Sequence, residues 1–149
     1  MHRTVLIAAA VLVAVSVRAP LAARLQQSPA PAAAQSRLDY NAFVTQIEPI
    51  FLKKRTDHAR CYACHSQGTA FRLQELSPGS KAWNDEQSRK NFDAVQRLVV
   101  PGNPAASRLL LMPLAEEAGG IHFHPGGKHF MSLNDEEAKT MAAWVSAAK

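Results

Sequence analysis

The pentapeptide Cys61-Tyr62-Ala63-Cys64-His65 constrains this chain more than any other feature of its sequence. The 149 residues contain two cysteines, and both stand here. With two residues between them they enclose no long loop, so a disulfide at this spacing is a poor means of stabilisation. Two intervening residues make one helical turn, which sets the spacing of the sulfurs, and His65 follows at once.

That order and spacing is the attachment pattern for a c-type haem. The two thiols add to the two vinyl groups on one side of a porphyrin, and the next residue presents its imidazole to the iron. A thioredoxin-like redox pair expects a βαβ context, and none is visible here. A zinc site wants four ligands, with a second Cys or His pair. The reading is one covalent haem c, held by Cys61 and Cys64, with His65 as proximal iron ligand.

The N-terminus supplies a matching context. His2 and Arg3 precede a run from Val5 to Val17 that is apolar except for Ser16. The run is short for a bilayer span, which needs roughly 20 apolar residues, and it suits a secretory signal. Residues 1–23 are therefore expected to be a signal peptide, or failing cleavage an N-terminal anchor. Residues 24–38, rich in Ala, Pro, Gln and Ser, read as a disordered linker, and 39–149 as the folded domain. Either way the domain is expected outside the cytoplasm, in the periplasm, where haem attachment takes place. Lys and Arg number 17 against 12 Asp and Glu. Arg3, Arg18 and Arg24 lie in the first 34 residues, which carry no acid, so the excess of charge gives no reason to expect nucleic-acid binding.

The rest of the chain reads as helices joined by loops. Phe43, Ile47, Ile50 and Phe51 make the apolar stripe of a helix over 40–55, with a kink or break at Pro49. Lys53-Lys54-Arg55 reads as its solvated basic end. Residues 66–82 lack periodicity. Asn84 to Gln87 has the capping-box arrangement for a helix whose inner face is Phe92, Val95, Leu98 and Val99. Asn103 and Pro104 suit the start of a short helix through Leu109 to Leu111. Asn134 to Glu137 is expected to cap a last helix that carries Met141, Trp144, Val145 and Ala148 and runs to about Ala147. No strand alternation and no repeat is present. The expected fold is mainly α: a small domain of about four helices whose long loops wrap one covalent haem.

Glu48-Pro49-Ile50-Phe51 leading into Cys61–His65 resembles the opening of class-I-like bacterial cytochrome c domains. The stretch Pro101-Gly102-Asn103-Pro104-Ala105-Ala106-Ser107-Arg108-Leu109 is similar to the PG-x-P-x-x-S-x-L element of monohaem cytochromes of planctomycete and acidobacterial type. Trp144 matches the Trp usual in their last helix. His124-Pro125-Gly126-Gly127 resembles the H-x-G-G element of relatives that lack the usual Met ligand. The resemblance covers about residues 40–147. It implies that His65 donates its second ring N–H to a carbonyl in the Pro101 region and that the protein transfers electrons.

His124 is the expected distal iron ligand, with Met131, Met112, His129 and His122 kept as alternatives. Arg72 and Lys128 are candidates for pairing with haem propionates, Trp83 and Phe92 for packing the pocket, and His58 for plain loop. No acid–base constellation points to an enzyme. The alternative is a haem enzyme or ligand-binding sensor with an open or displaceable sixth site. Expected partners are redox proteins, with a membrane-associated complex as one setting.

Overall fold

The computed structural model describes residues 38–56 and 58–148. The expected signal peptide at 1–23 and residues 24–37 of the expected linker lie outside the described residues. Five helices carry the domain. Residues 40–52 form α1, Cys61–His65 α2, Asp85–Gln96 α3, Arg108–Leu111 α4 and Glu136–Ser146 α5. Among the described residues the only β pairing is two isolated bridges, Arg55 with His58 and Leu114 with Phe130. The expectation of a small, mainly α domain holds. No helix among the described residues is long and apolar enough to cross a membrane.

α1 shows what Pro49 does to a helix. The segment opens with Tyr40–Ala42, widens to a π turn over Phe43–Ile47 and closes as Glu48–Leu52. Proline brings no N–H, and its ring collides with the carbonyl four residues earlier. A wider turn just ahead moves that carbonyl aside. The helix then stops at Leu52, with Lys53 extended, three residues short of the expected Arg55. The stripe itself is as read: Phe43, Ile47, Ile50 and Phe51 are all buried.

These side chains meet Trp144, Met141 and Val145 of α5, Val95 of α3 and Leu110 of α4 in one core. The rings of Phe43 and Trp144 lie 5.8 Å apart, and Phe92 packs with Tyr40, Phe43 and Trp144. Trp144 Nε1 donates to the Asp39 carbonyl at 2.8 Å, which ties the start of α1 to α5.

The caps divide. Asn84 and Gln87 bond reciprocally as a capping box. Asn103 makes no capping bond with its side chain. Instead the buried Ser107 Oγ accepts from Val100 N at 2.9 Å and donates to the Asn103 carbonyl at 2.8 Å. The Asp135 carboxylate turns backward, accepting from Met131 N and Ser132 N, so it closes the preceding turn rather than capping α5.

One buried acid lies in the core. Glu48 accepts from Ser88 Oγ at 2.9 Å and Asn91 Nδ2 at 3.4 Å, and Asn91 Oδ1 accepts from Gln74 N. Burial raises the Glu48 pKa above 4.5. The folded state thus holds its proton more tightly than the unfolded chain, and stability falls as pH rises from 4.5 through the raised value. Glu48→Gln is expected to flatten that part of the pH dependence, measured as urea midpoints from pH 4 to 8.

Candidate functional site

α2 is a single turn anchored from below. Tyr62 OH accepts from Leu76 N at 2.9 Å, and its ring meets Trp83 edge-on at 5.8 Å. Trp83 Nε1 donates to the Gln74 carbonyl at 2.7 Å, and Leu73 N to the His65 carbonyl at 2.7 Å. The chain therefore returns past α2 over residues 71–76 and holds it. Cys61 is half-buried and Cys64 exposed. Burial pushes the Cys61 thiol pKa up, partly offset by Arg55.

His65 Nδ1 lies 2.8 Å from the Phe71 carbonyl. This corrects the partner implied by resemblance, which was a carbonyl near Pro101. The Val100 carbonyl is engaged elsewhere, accepting from Asn103 N at 2.9 Å and Ser107 Oγ at 3.3 Å, whereas the return of the chain brings Phe71 against the His65 ring, centroids 4.6 Å apart. Thr69 Oγ1 also donates to the Phe71 carbonyl. A carbonyl oxygen only accepts, so Nδ1 carries the hydrogen and the neutral ring keeps its lone pair on Nε2. Burial lowers the His65 pKa, and the bond to Phe71 opposes that shift.

The opposing wall is the loop 112–131. Its ends are joined by Ala115 N to the Phe130 carbonyl at 2.8 Å, and Ile121 N reaches the Leu111 carbonyl at 2.9 Å. Lys128 Nζ donates to the carbonyls of Met112 and Ile121, so the ammonium expected at a propionate closes this loop. Gly120 passes so near the 114–115 backbone that a Cβ there would lie 2.0 Å from the Leu114 oxygen.

His124 repeats the device seen at His65. Its Nδ1 lies 2.6 Å from the Gly127 carbonyl, and Gly127 N donates back to the His124 carbonyl at 2.9 Å. Gly127 takes φ +78°, which favours glycine. The His65 and His124 rings are nearly parallel, at 15°, with centroids 6.2 Å apart.

The other candidates fall elsewhere. His122 is exposed and pairs with Glu116 at 2.7 Å. Met131 is exposed. Met112 is half-buried beside Arg108. Arg72 pairs with Glu75 at the surface. His129 lies 6.0 Å from His124 and 5.0 Å from His58, ring to ring. Its Nδ1 is buried with no partner among the described residues, and burial, reinforced by Arg55 and three histidines, lowers its pKa to about 4.

Arg55 is the residue that the sequence hides. It is drawn inward, bonds Glu137 and the Ile50 carbonyl, and reaches Cys61 Sγ at 3.8 Å. Its placement as part of a solvated helix end is therefore corrected. The extended Lys53 turns the chain back toward the domain, and a carboxylate on α5 receives it. A basic residue at i−6 from Cys61 together with an acid in the first turn of a later helix was the available signal, and it is a faint one.

Comparison with protein-family models, curated proteins and solved structures finds no match for this chain.

Gly120→Ala is expected to destabilise the protein by about 2 kcal/mol or more, because only backbone stands in the way of the new carbon. Gly68→Ala, whose Cβ meets nothing within 4 Å, is expected to stay within about 0.5 kcal/mol of the parent. Chemical denaturation reads both, and faster amide exchange at Ile121 locates the first effect in the loop.

Proposed function

We propose that this chain is an exported electron-transfer protein carrying one covalently attached haem c. The observation that supports the reading is the single turn Cys61-Tyr62-Ala63-Cys64-His65 with the His124 ring 6.2 Å from that of His65, each imidazole with Nδ1 against a backbone carbonyl. Two imidazoles in one site suit a metal whose other positions would be filled by a macrocycle, and Cys61 and Cys64 would be the thiols that take up its vinyl groups.

Bound there, the haem supplies a one-electron ferric–ferrous couple. The chain's task is to hold still. Cys61 and Cys64 would hold the haem through thioether bonds. His65 and His124 would hold its iron through Nε2, and the carbonyls of Phe71 and Gly127 fix each ring's tautomer and orientation and raise its basicity. Keeping the same two ligands in both oxidation states limits reorganisation. Imidazole in place of thioether gives a lower potential, since a Met ligand raises it. Electrons pass to and from redox proteins outside the cytoplasm.

Two experiments test this. On a denaturing gel the wild-type protein is expected to give a haem-staining band, and Cys61→Ala with Cys64→Ala to give none. A band persisting in the double variant overturns covalent attachment at these residues. Low-temperature EPR of the ferric protein is expected to show a low-spin, bis-nitrogen signature, which His124→Ala converts to high spin with rapid cyanide binding. A bis-nitrogen signature unchanged in His124→Ala transfers the ligand to another nitrogen, a thioether signature transfers it to Met131 or Met112, and a high-spin wild type favours an enzyme or sensor.

A further inference from the structure

Arg55 always carries its charge, since arginine does not lose its proton in proteins. Its side chain is only 10 % exposed. Nε and Nη2 donate to Glu137 Oε2 at 3.1 and 2.9 Å, Nη2 also reaches the Ile50 carbonyl at 3.3 Å, and the guanidinium lies 5.6 Å from the centroid of the buried Phe130 ring. Nη1 is left to face Cys61 Sγ at 3.8 Å. Glu137 is itself 17 % exposed and takes Lys53 Nζ on its other oxygen at 2.5 Å. α1, α2 and α5 thus converge on one clamped charge pair against the sulfur that anchors the haem edge in the reading above.

A clamped, poorly solvated charge acts on its neighbours with far less screening than a surface charge. Ferric iron carries one more positive charge than ferrous iron. A fixed cation nearby therefore disfavours the ferric state, and a fixed anion favours it. A hydrogen bond to the sulfur is a second lever of the same sign, because it withdraws electron density from the attached ring.

We propose that Arg55 and Glu137 set the potential of the haem attached at Cys61, Arg55 raising it and Glu137 lowering it. The inference rests on the haem reading. Both are tuning residues, which neither bind the iron nor exchange electrons. Their opposite signs separate this role from a structural one, since loss of packing has no reason to move the potential in opposite directions for two members of one ion pair.

The test is a mediated spectroelectrochemical titration of the holoprotein. Arg55→Met is expected to lower the midpoint and Glu137→Gln to raise it, each by about three- to tenfold in the ferrous-to-ferric equilibrium, tenfold being about 59 mV for one electron. Arg55→Lys, which keeps the charge and loses the fork, is expected to lie between wild type and Arg55→Met. Lys53→Met, at a side chain 55 % exposed, is expected to move the midpoint least. Helical circular dichroism, haem staining and an unchanged low-spin EPR signature show that fold, attachment and ligands are kept. If Arg55→Met does not accumulate, Arg55→Lys and Glu137→Gln carry the same test of sign. Shifts of the same sign in the arginine and glutamate variants, or no shift in either, overturn the inference while leaving the haem reading intact. A wild-type protein without covalent haem overturns both, and the gel identifies that case.

Discussion

An imidazole has two ring nitrogens, and a backbone carbonyl can only accept a hydrogen bond. Seating Nδ1 against a carbonyl therefore settles the tautomer and leaves a lone pair on Nε2. This chain does so twice, with the Phe71 carbonyl for His65 and the Gly127 carbonyl for His124. Much of the surrounding structure keeps those two carbonyls in place. The bond from Leu73 N to the His65 carbonyl folds residues 66–73 back onto α2. The pairing of Ala115 with Phe130, the tight pass at Gly120 and the Lys128 ammonium fix the loop that carries Gly127. The same logic sets His129 apart from these two. Its buried Nδ1 has no partner among the described residues, so no carbonyl there fixes its tautomer as carbonyls fix those of His65 and His124.

The helical framework was legible because helices announce themselves through side-chain periodicity. Phe43, Ile47, Ile50 and Phe51 sit where a 3.6-residue period puts them, and the Asn84–Gln87 box closes as its residue types dictate. The pentapeptide at 61–65 was legible as one turn, and the glycines after His124 as a tight bend. Less legible was whatever depends on backbone acceptors. The Phe71 carbonyl has no residue signature, because any amino acid supplies one, so the partner of His65 was placed near Pro101 by resemblance. Asn134 and Asn103 were read as caps from residue type, yet such side chains also serve neighbouring turns equally well. In this chain the cap position falls on Asp135, whose carboxylate serves the turn at 131–135, and Ser107 does the work expected of Asn103.

Arg55 failed for a different reason. A basic run at the end of an amphipathic helix is ordinarily solvated, and local pattern contains nothing to say otherwise. The outcome was decided by Pro49, which brings forward a π turn and an early end at Leu52, and by Glu137, which lies 82 residues away. Once α1 stops there, residue 55 lies beyond the helix and points back under α2. A long-range ion pair of this kind is set by topology, and topology is the level that periodicity does not reach.

Small domains with long loops need some substitute for the hydrogen bonds that helices and sheets provide internally. Here buried or half-buried side chains supply it. Ser107 secures the bend at 100–107, Asn91 the segment at 74, Tyr62 the segment at 76, Lys128 the loop at 112–121, and Arg55 the crossing of α1 and α5. Each such group is costly to leave unsatisfied, so these connections act as constraints and not merely as contacts. Packing alone tolerates small slides, whereas a hydrogen bond with defined direction and length does not.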